Sequence, residues 1–207
     1  MKLKFDPENI TITQIREIML KKHYNFYEKG DYNVNIIGIR NSINKSNSFD
    51  DFLFFIYKEN NDWIKKCYEI TTDAGSYWLE NPSNRKGTAI LIPNQYSSAY
   101  KIDKHQGKYD SLCQRIEKVQ VWRDNNKDNI LDFNIASKEW GFFGINIHRS
   151  NPHTESFNVN KWSAGCQVFK KVADFNNFMT ICKKSSISYG NKFTYTLLET
   201  TDFNLKK

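Results

Sequence analysis

Phe52-Leu53-Phe54-Phe55-Ile56-Tyr57, Glu59-Asn60-Asn61-Asp62 and Trp63-Ile64-Lys65-Lys66-Cys67-Tyr68-Glu69-Ile70 follow closely in the chain and set its fold class. Aromatic and β-branched residues dominate the first run and make up half of the second, which favours pleated, half-buried strands. The polar residues between them look like a hairpin turn, so the stretch predicts a β-hairpin. Upstream, Val34, Ile36 and Ile37 through Ile39 read as a buried strand, followed by the polar loop Asn41 to Asn47. Before that, Thr11-Ile12-Thr13-Gln14 fits a capping box, and Ile12, Ile15, Met19 and Phe26 recur at near-helical spacing until Gly30. That spacing predicts one amphipathic helix over about 13–28.

Downstream, Gly75, Pro82, Gly87 and Pro93 interrupt the chain between Thr71 and Tyr100, which predicts long loops around a short strand at Ala89 to Ile92. Strands are expected at about 118–122 and 142–148, then a loop to Trp162, a helix at about 171–183 and a closing strand from Lys192 to Glu199. No repeat or low-complexity tract interrupts this order. The fold class that results is α+β and β-rich, with an N-terminal helical segment over 1–30 and a main domain over 31–207.

At 207 residues, with 39% hydrophobic and 15% aromatic residues, the chain can bury a real core, which argues against wholesale disorder. No stretch approaches the roughly 20 apolar residues of a membrane helix, and Met1-Lys2-Leu3-Lys4-Phe5-Asp6-Pro7 lacks an apolar signal core. Cytosolic synthesis without a signal peptide is therefore expected. Cys67, Cys113, Cys166 and Cys182 are widely spaced and form no CxxC pair, so free thiols are expected rather than a zinc ribbon or a disulfide scaffold. The net charge of +7, with a loose cluster at Lys170, Lys171, Lys183, Lys184, Lys206 and Lys207, reads first as a solvated lysine-rich surface. A nucleic-acid binder would rest on that charge alone, for no helix, finger or RNA-binding motif accompanies it.

The chemistry concentrates in Gly144-Ile145-Asn146-Ile147-His148 and, after a polar loop, Trp162-Ser163-Ala164-Gly165-Cys166-Gln167-Val168. A thiol attacks a carbonyl as thiolate, and at an ordinary pKa it needs a nearby base, for which His148 is the candidate. Gly165 before Cys166 permits a sharp backbone turn, so that the amides of Gly165 and Cys166 could face a developing oxyanion. The other three cysteines read as inert packing residues.

These residues resemble the L,D-transpeptidase catalytic-domain family, whose motif is a His, a gap of about fourteen to seventeen residues, then Ser/Thr-His-Gly-Cys. Here His148 is followed, after fourteen residues, by Ser163-Ala164-Gly165-Cys166. The resemblance covers about 20 to 25 residues and implies a β-sandwich-like fold with a helix after the nucleophile. It implies that Cys166 is acylated by a peptidoglycan stem peptide, with His148 as base and Ser163 supporting the site by hydrogen bonding. Ala164 stands where the family usually has a second His, and Val168 where Arg or Asn often follows. Those departures leave open whether the chain is active and whether an amine or water takes the acyl group.

Around this motif, Trp162, Arg149, Tyr77 and His105 are candidate substrate-binding residues, with Thr71-Thr72-Asp73-Ala74-Gly75 a candidate substrate-side loop. His105, read within a polar loop at Lys104 to Tyr109, is the candidate substitute for the missing second His. Tyr77, Trp78, Tyr96, Tyr100, Trp140 and Trp162 are candidates for a groove wall, with core packing the commoner role for such residues. A zinc site from His148, His153, His105 and Cys166 lacks the recurrent ligand spacings. Calcium is the one candidate cofactor: Asp124, Asn126, Asp128 and Asp132 occupy positions 1, 3, 5 and 9 of an EF-hand-like loop, though Asn129 replaces its Gly and Ile135 its final Glu.

The expectation is thus a cysteine peptidoglycan transpeptidase or peptidase. Delivery to the wall by a phage, in a virion or by a secretion apparatus would reconcile it with the absent signal. The competing reading is a non-enzymatic phage structural or wall-binding protein on the same fold.

Overall fold

The computed structural model describes residues 5–203 except Asn44 and Asn134. A helix α1 (Ile12–Lys21) leads into strand β1 (Asn35–Arg40) and the hairpin β2 (Asp51–Glu59) and β3 (Asp62–Thr71). A short helix α2 (Ser76–Glu80) precedes strands β4 (Thr88–Leu91), β5 (Gln95–His105), β6 (Tyr109–Gln114), β7 (Val119–Asp124), β8 (Glu139–Gly141), β9 (Ile147–Arg149) and β10 (Gln167–Phe169). Helix α3 (Val172–Tyr189) and strand β11 (Phe193–Glu199) close the chain. Eight strands form a closed barrel in the order β1-β11-β5-β6-β9-β10-β3-β2, and β4-β7-β8 make a separate three-stranded sheet. The β-rich α+β class expected from sequence is what forms. In place of a sandwich, however, the main sheet closes on itself, because β1 pairs with β2 on one side and in parallel with β11 on the other. Closure removes both sheet edges.

Each hydrophobic run finds a face. Ile36, Leu53, Phe55, Tyr100, Leu112, Ile147, Phe169, Tyr195 and Leu197 share one core with Phe175, Phe178 and Cys182 of α3. Ile37, Ile39, Phe54, Ile56 and Leu198 point the other way and are covered by Ile10, Ile15 and Met19 of the N-terminal segment. That double burial explains the near-continuous apolar reading of β1. The β2–β3 turn carries Asn60 and Asn61 at φ 53° and 68°, and both amides donate to Asp31 at 2.9 and 3.0 Å. These are the dihedrals of a type I′ hairpin.

Besides the unexpected α2, β8 and β10, several elements depart from expectation. Helix α1 has its capping box at Thr11 and Gln14 but stops at Lys21, and His23 turns to φ 60°. Tyr24 and Phe26 reach the core from an extended segment, where alternate residues share a face, so their spacing is not helical. Helix α3 continues to Tyr189 and ends at Gly190 with φ 80°. Within 142–148 only the end joins a ladder, since Gly144 takes φ 69° and turns the backbone away. Finally, β5 and β6 form a hairpin where the sequence predicts loops, through Gln106 and Gly107 at φ 49° and 72°. None of the described helices is long and apolar enough to cross a membrane, and the four cysteines are free.

The segment expected as a substrate-side loop is interior. Thr72 and Asp73 are buried and, with Asp51, surround the fully buried Arg40. Arg40 Nε lies 2.9 Å from Asp73 Oδ1 and donates at 3.0 Å to Thr72 Oγ1, while its terminal nitrogens donate to the carbonyls of Leu91 at 2.8 Å and Thr72 at 3.0 Å. Asp51 accepts from the Thr72 amide at 2.6 Å, the Thr72 hydroxyl at 2.8 Å and the Asn41 amide at 2.7 Å. Burial, with the Asp73 charge beside it, pushes the Asp51 carboxyl up to about 8.

This shift sets a pH dependence. Unfolded, the Asp51 carboxyl loses its proton near pH 4; folded, it holds the proton to about 8, so its stabilisation is complete below about 4 and gone above about 8. The lowered imidazole pKa values of His105 and His148 act oppositely, but only below about pH 6.5. The melting temperature is therefore expected to fall between about pH 6.5 and 8.5, and Asp51→Asn to flatten that fall. Parallel profiles for both proteins would refute the assignment.

Candidate active site

Parallel pairing of β9 with β10 sets Ile147 beside Gln167 and His148 beside Val168. Val168 and His148 are thus cross-strand partners on one face, and Cys166 and Asn146 immediately precede their strands. The Asn146 amide donates to Cys166 Sγ at 3.4 Å, and Sγ–H donates to the Gly144 carbonyl at 3.5 Å. His148 and Cys166 make no direct hydrogen bond to each other: His148 Nδ1 is 2.8 Å from the Arg149 carbonyl. A carbonyl only accepts, so the proton sits on Nδ1 and Nε2 keeps its lone pair, the tautomer a general base requires.

The β5–β6 hairpin brings a second imidazole. His105 stacks on His148 with centroids 4.0 Å apart and planes 20° apart. Asn146 Oδ1 accepts the Gln114 amide at 3.0 Å, which directs its Nδ2 to donate to His105 Nδ1 at 3.0 Å. Both rings are neutral. Burial, then the neighbouring His105, lowers His148 to about 3; burial and then Arg115, Lys108 and Arg149 lower His105. Tyr109 completes the group, its hydroxyl donating to the Arg149 carbonyl at 3.3 Å and lying 3.3 Å from His148 Nδ1.

Ser163 and Gly165 build the turn that presents the thiol. The buried Ser163 hydroxyl donates to the Cys166 carbonyl at 2.8 Å and accepts the Gly165 amide at 3.1 Å. The Gly165 amide is thereby committed, and the Cys166 amide, which has no partner among the described residues, is the donor left for an oxyanion. The Gly75 amide ties this turn to α2 by donating to the Ser163 carbonyl at 2.9 Å.

Of the expected substrate residues, Arg149 lies over the Tyr109 ring, 4.1 Å from its centroid. Both line a cleft of about 340 Å³ with Asp110, Phe175, Met179 and Lys183. Trp162 is exposed in the loop before the thiol, and the exposed Tyr77 on α2 has Lys161 Nζ over its ring, 4.1 Å from the centroid. Trp140 is exposed, whereas Tyr96 and Tyr100 are core residues and form no groove wall. The lysine cluster is largely paired: Lys170 with Glu69 and Glu155, Lys171 with Glu69 and Lys183 with Asp110. Among the described residues no three His, Cys, Asp or Glu side chains are gathered to hold a metal.

Gln114, Asn146 and Tyr109 escaped the sequence reading. Gln114 Oε1 accepts the amides of Phe143 and Gly144 at 3.0 Å and Ile145 at 3.4 Å, which fixes the Gly144 carbonyl against the thiol. The available signal was Gly107 between two alternating runs, a hairpin mark that would have set Tyr109 opposite His105.

Burial pushes the Cys166 thiol up to about 11. The resting pair is thus thiol and imidazole, not thiolate and imidazolium. Alkylation of Cys166 by iodoacetamide, followed by peptide mass spectrometry, is expected to accelerate about tenfold per pH unit between 7 and 10. A plateau beginning below pH 7 would instead reveal a preformed ion pair.

No protein-family model, no curated protein and no solved structure matches this chain.

Proposed function

We propose that the protein carries out thiol-dependent acyl transfer or hydrolysis on peptidoglycan stem peptides, with Cys166 as nucleophile and His148 as base. One observation carries the reading: the pairing of β9 with β10 brings an imidazole with a free Nε2 on β9 and the thiol that immediately precedes β10 onto adjacent segments, with an unpartnered amide at Cys166. Sγ adds to the scissile carbonyl as its proton moves to His148 Nε2, and the Cys166 amide donates to the oxyanion. The C–N bond then breaks, the leaving amine takes the proton from His148, and a thioester remains. An amine or water attacks the thioester and restores the thiol. Since the thiol starts protonated, His148 must take the proton during attack, and substrate or a rotation of the Cys166 side chain must close the gap between them. His105 holds the plane of the His148 ring by stacking and is the candidate for the role that Ala164 cannot fill. The specific substrate, stem peptide rather than another acyl donor, rests on the His148 and Ser163-to-Cys166 resemblance. Wall access follows from phage or secretion-apparatus delivery.

The test is incubation with purified peptidoglycan and mass spectrometry of the products. Wild type is expected to generate new cross-links or cleaved stem peptides, and Cys166→Ala none, with an unchanged circular dichroism spectrum. A second reading, a non-enzymatic phage structural or wall-binding protein, is favoured by the missing Cys166–His148 hydrogen bond. It expects Cys166→Ala to bind peptidoglycan as wild type does and neither protein to alter it.

A further inference from the structure

We propose that the loop from Asp124 to Asp132, which joins β7 to β8, is a calcium site that steadies the second sheet. The loop follows Asp124-Asn126-Asp128-Asp132 at positions 1, 3, 5 and 9 of an EF-hand-like sequence, with the Ile130 carbonyl at position 7. An acidic cluster alone says little, but Asp124 is only 1% exposed and its Oδ1 has no hydrogen-bond partner. Its Oδ2 accepts the Asp132 amide at 3.0 Å, so the carboxylate faces into the loop. A buried carboxylate oxygen left without a donor is costly, and a hard cation satisfies it. Asn129 Oδ1 is a second buried oxygen with no partner.

The surrounding groups fit that occupant. The Asn126 side-chain NH₂ donates to Asp128 Oδ2 at 2.9 Å and to Asp132 Oδ2 at 2.7 Å, so an amide donor stands between two carboxylates where a cation would. Turning that amide over presents its oxygen instead. Asn129, which replaces the usual Gly, takes φ 62°, the left-handed turn Gly would supply, and Asn tolerates it. Leu131 at position 8 is buried against Ala74, Leu79 and Ile90. The three aspartates are not yet gathered around one point, and position 12 offers no carboxylate. The site therefore relies on amide, carbonyl and water oxygens and belongs to the weak, about 10⁻⁴–10⁻³ M class. Calcium there would restrain the β7–β8 connection, from which the chain runs on to Gly144 and the thiol.

The full-length protein, stripped with chelator, is titrated with CaCl₂ to about 10 mM, with MgCl₂ or NaCl at matched ionic strength as controls. Calcium is expected to raise the melting temperature by about 3–8 °C, and the controls by clearly less. Terbium, a calcium substitute, is expected to luminesce on excitation of Trp122, two residues from Asp124. Asp124→Asn removes the buried ligand but risks misfolding. Asp128→Ala, at an exposed position, is therefore the second variant: it should keep the calcium-free melting temperature and lose both the calcium rise and the terbium signal. No calcium-specific rise in the wild type, or an equal rise in Asp128→Ala, overturns the proposal.

Discussion

Arg40→Met is expected to destabilise the protein by about 3–5 kcal/mol in urea unfolding at pH 7.5. Arg40 is fully buried and, among the described residues, is the one cation in contact with Asp73; with Thr72 between them it links that carboxylate to Asp51. Met replaces its volume but not its charge, so Asp73 must either stay ionised without a partner or take up a proton. The same change orphans the carbonyls of Leu91 and Thr72, each of which then loses a donor inside the protein. Two controls separate charge from volume. Lowering the pH toward 5, where the carboxyls protonate more easily, should recover part of the loss. Adding Asp73→Asn to Arg40→Met should recover more, because it removes the unpaired charge. A loss below about 1 kcal/mol, or one that neither control relieves, would mean that the buried ion pair contributes little. The effect should reach the thiol, for Leu91 lies two residues from Ala89, whose carbonyl abuts Gly165.

What the sequence discloses follows local chemistry. The β2–β3 hairpin is legible because a left-handed Asn pair sits between two apolar runs, and β1 is legible because both its faces are buried. The turn before Cys166 is legible because Ser163, Gly165 and Cys166 act on one another within four residues. Barrel closure is not, since β1 and β11 meet from opposite ends of the chain and neither announces its partner. Strand β5 hides for a different reason. One of its faces carries Lys101, Asp103 and the buried His105, so polar residues dilute the apolar alternation.

The same concealment applies to the site. His148 and Cys166 are legible as a spaced pair, whereas the imidazole stacked on His148, the amide that orients it and the Gln114 bracket arrive through strand pairing. The aromatic signal is two-sided: of the groove candidates, Tyr96 and Tyr100 take the commoner core role and are buried, the Tyr96 hydroxyl satisfied by the Ile92 carbonyl at 2.6 Å. Residue type records what a side chain can do, and long-range pairing decides which face it occupies.

Gly165→Ala is expected to cost about 3 kcal/mol or more and to abolish the acyl transfer proposed at Cys166. Gly165 holds φ 116°, which an L residue rarely adopts, and a Cβ there would lie 2.2 Å from the Ala89 carbonyl oxygen. That oxygen belongs to the backbone of β4, paired to β7 opposite Arg123, so it cannot swing aside as a flexible side chain would. The turn must yield instead. Its movement would break the Gly165 amide bond to Ser163 and, with it, the hold of Ser163 on the Cys166 carbonyl. The thiol and the unpartnered Cys166 amide would then lose their fixed relation to His148. Stability and the proposed acyl transfer should therefore fall together, whereas Cys166→Ala is expected to lose the proposed acyl transfer alone. Urea unfolding measures the first. The alkylation rate of Cys166 at fixed pH, expected to rise as the loosened thiol becomes more accessible, reports the state of the turn independently of substrate. A Gly165→Ala protein with wild-type stability and an unchanged alkylation rate would show that the turn accommodates a side chain, and the role assigned to Gly165 would have to be withdrawn.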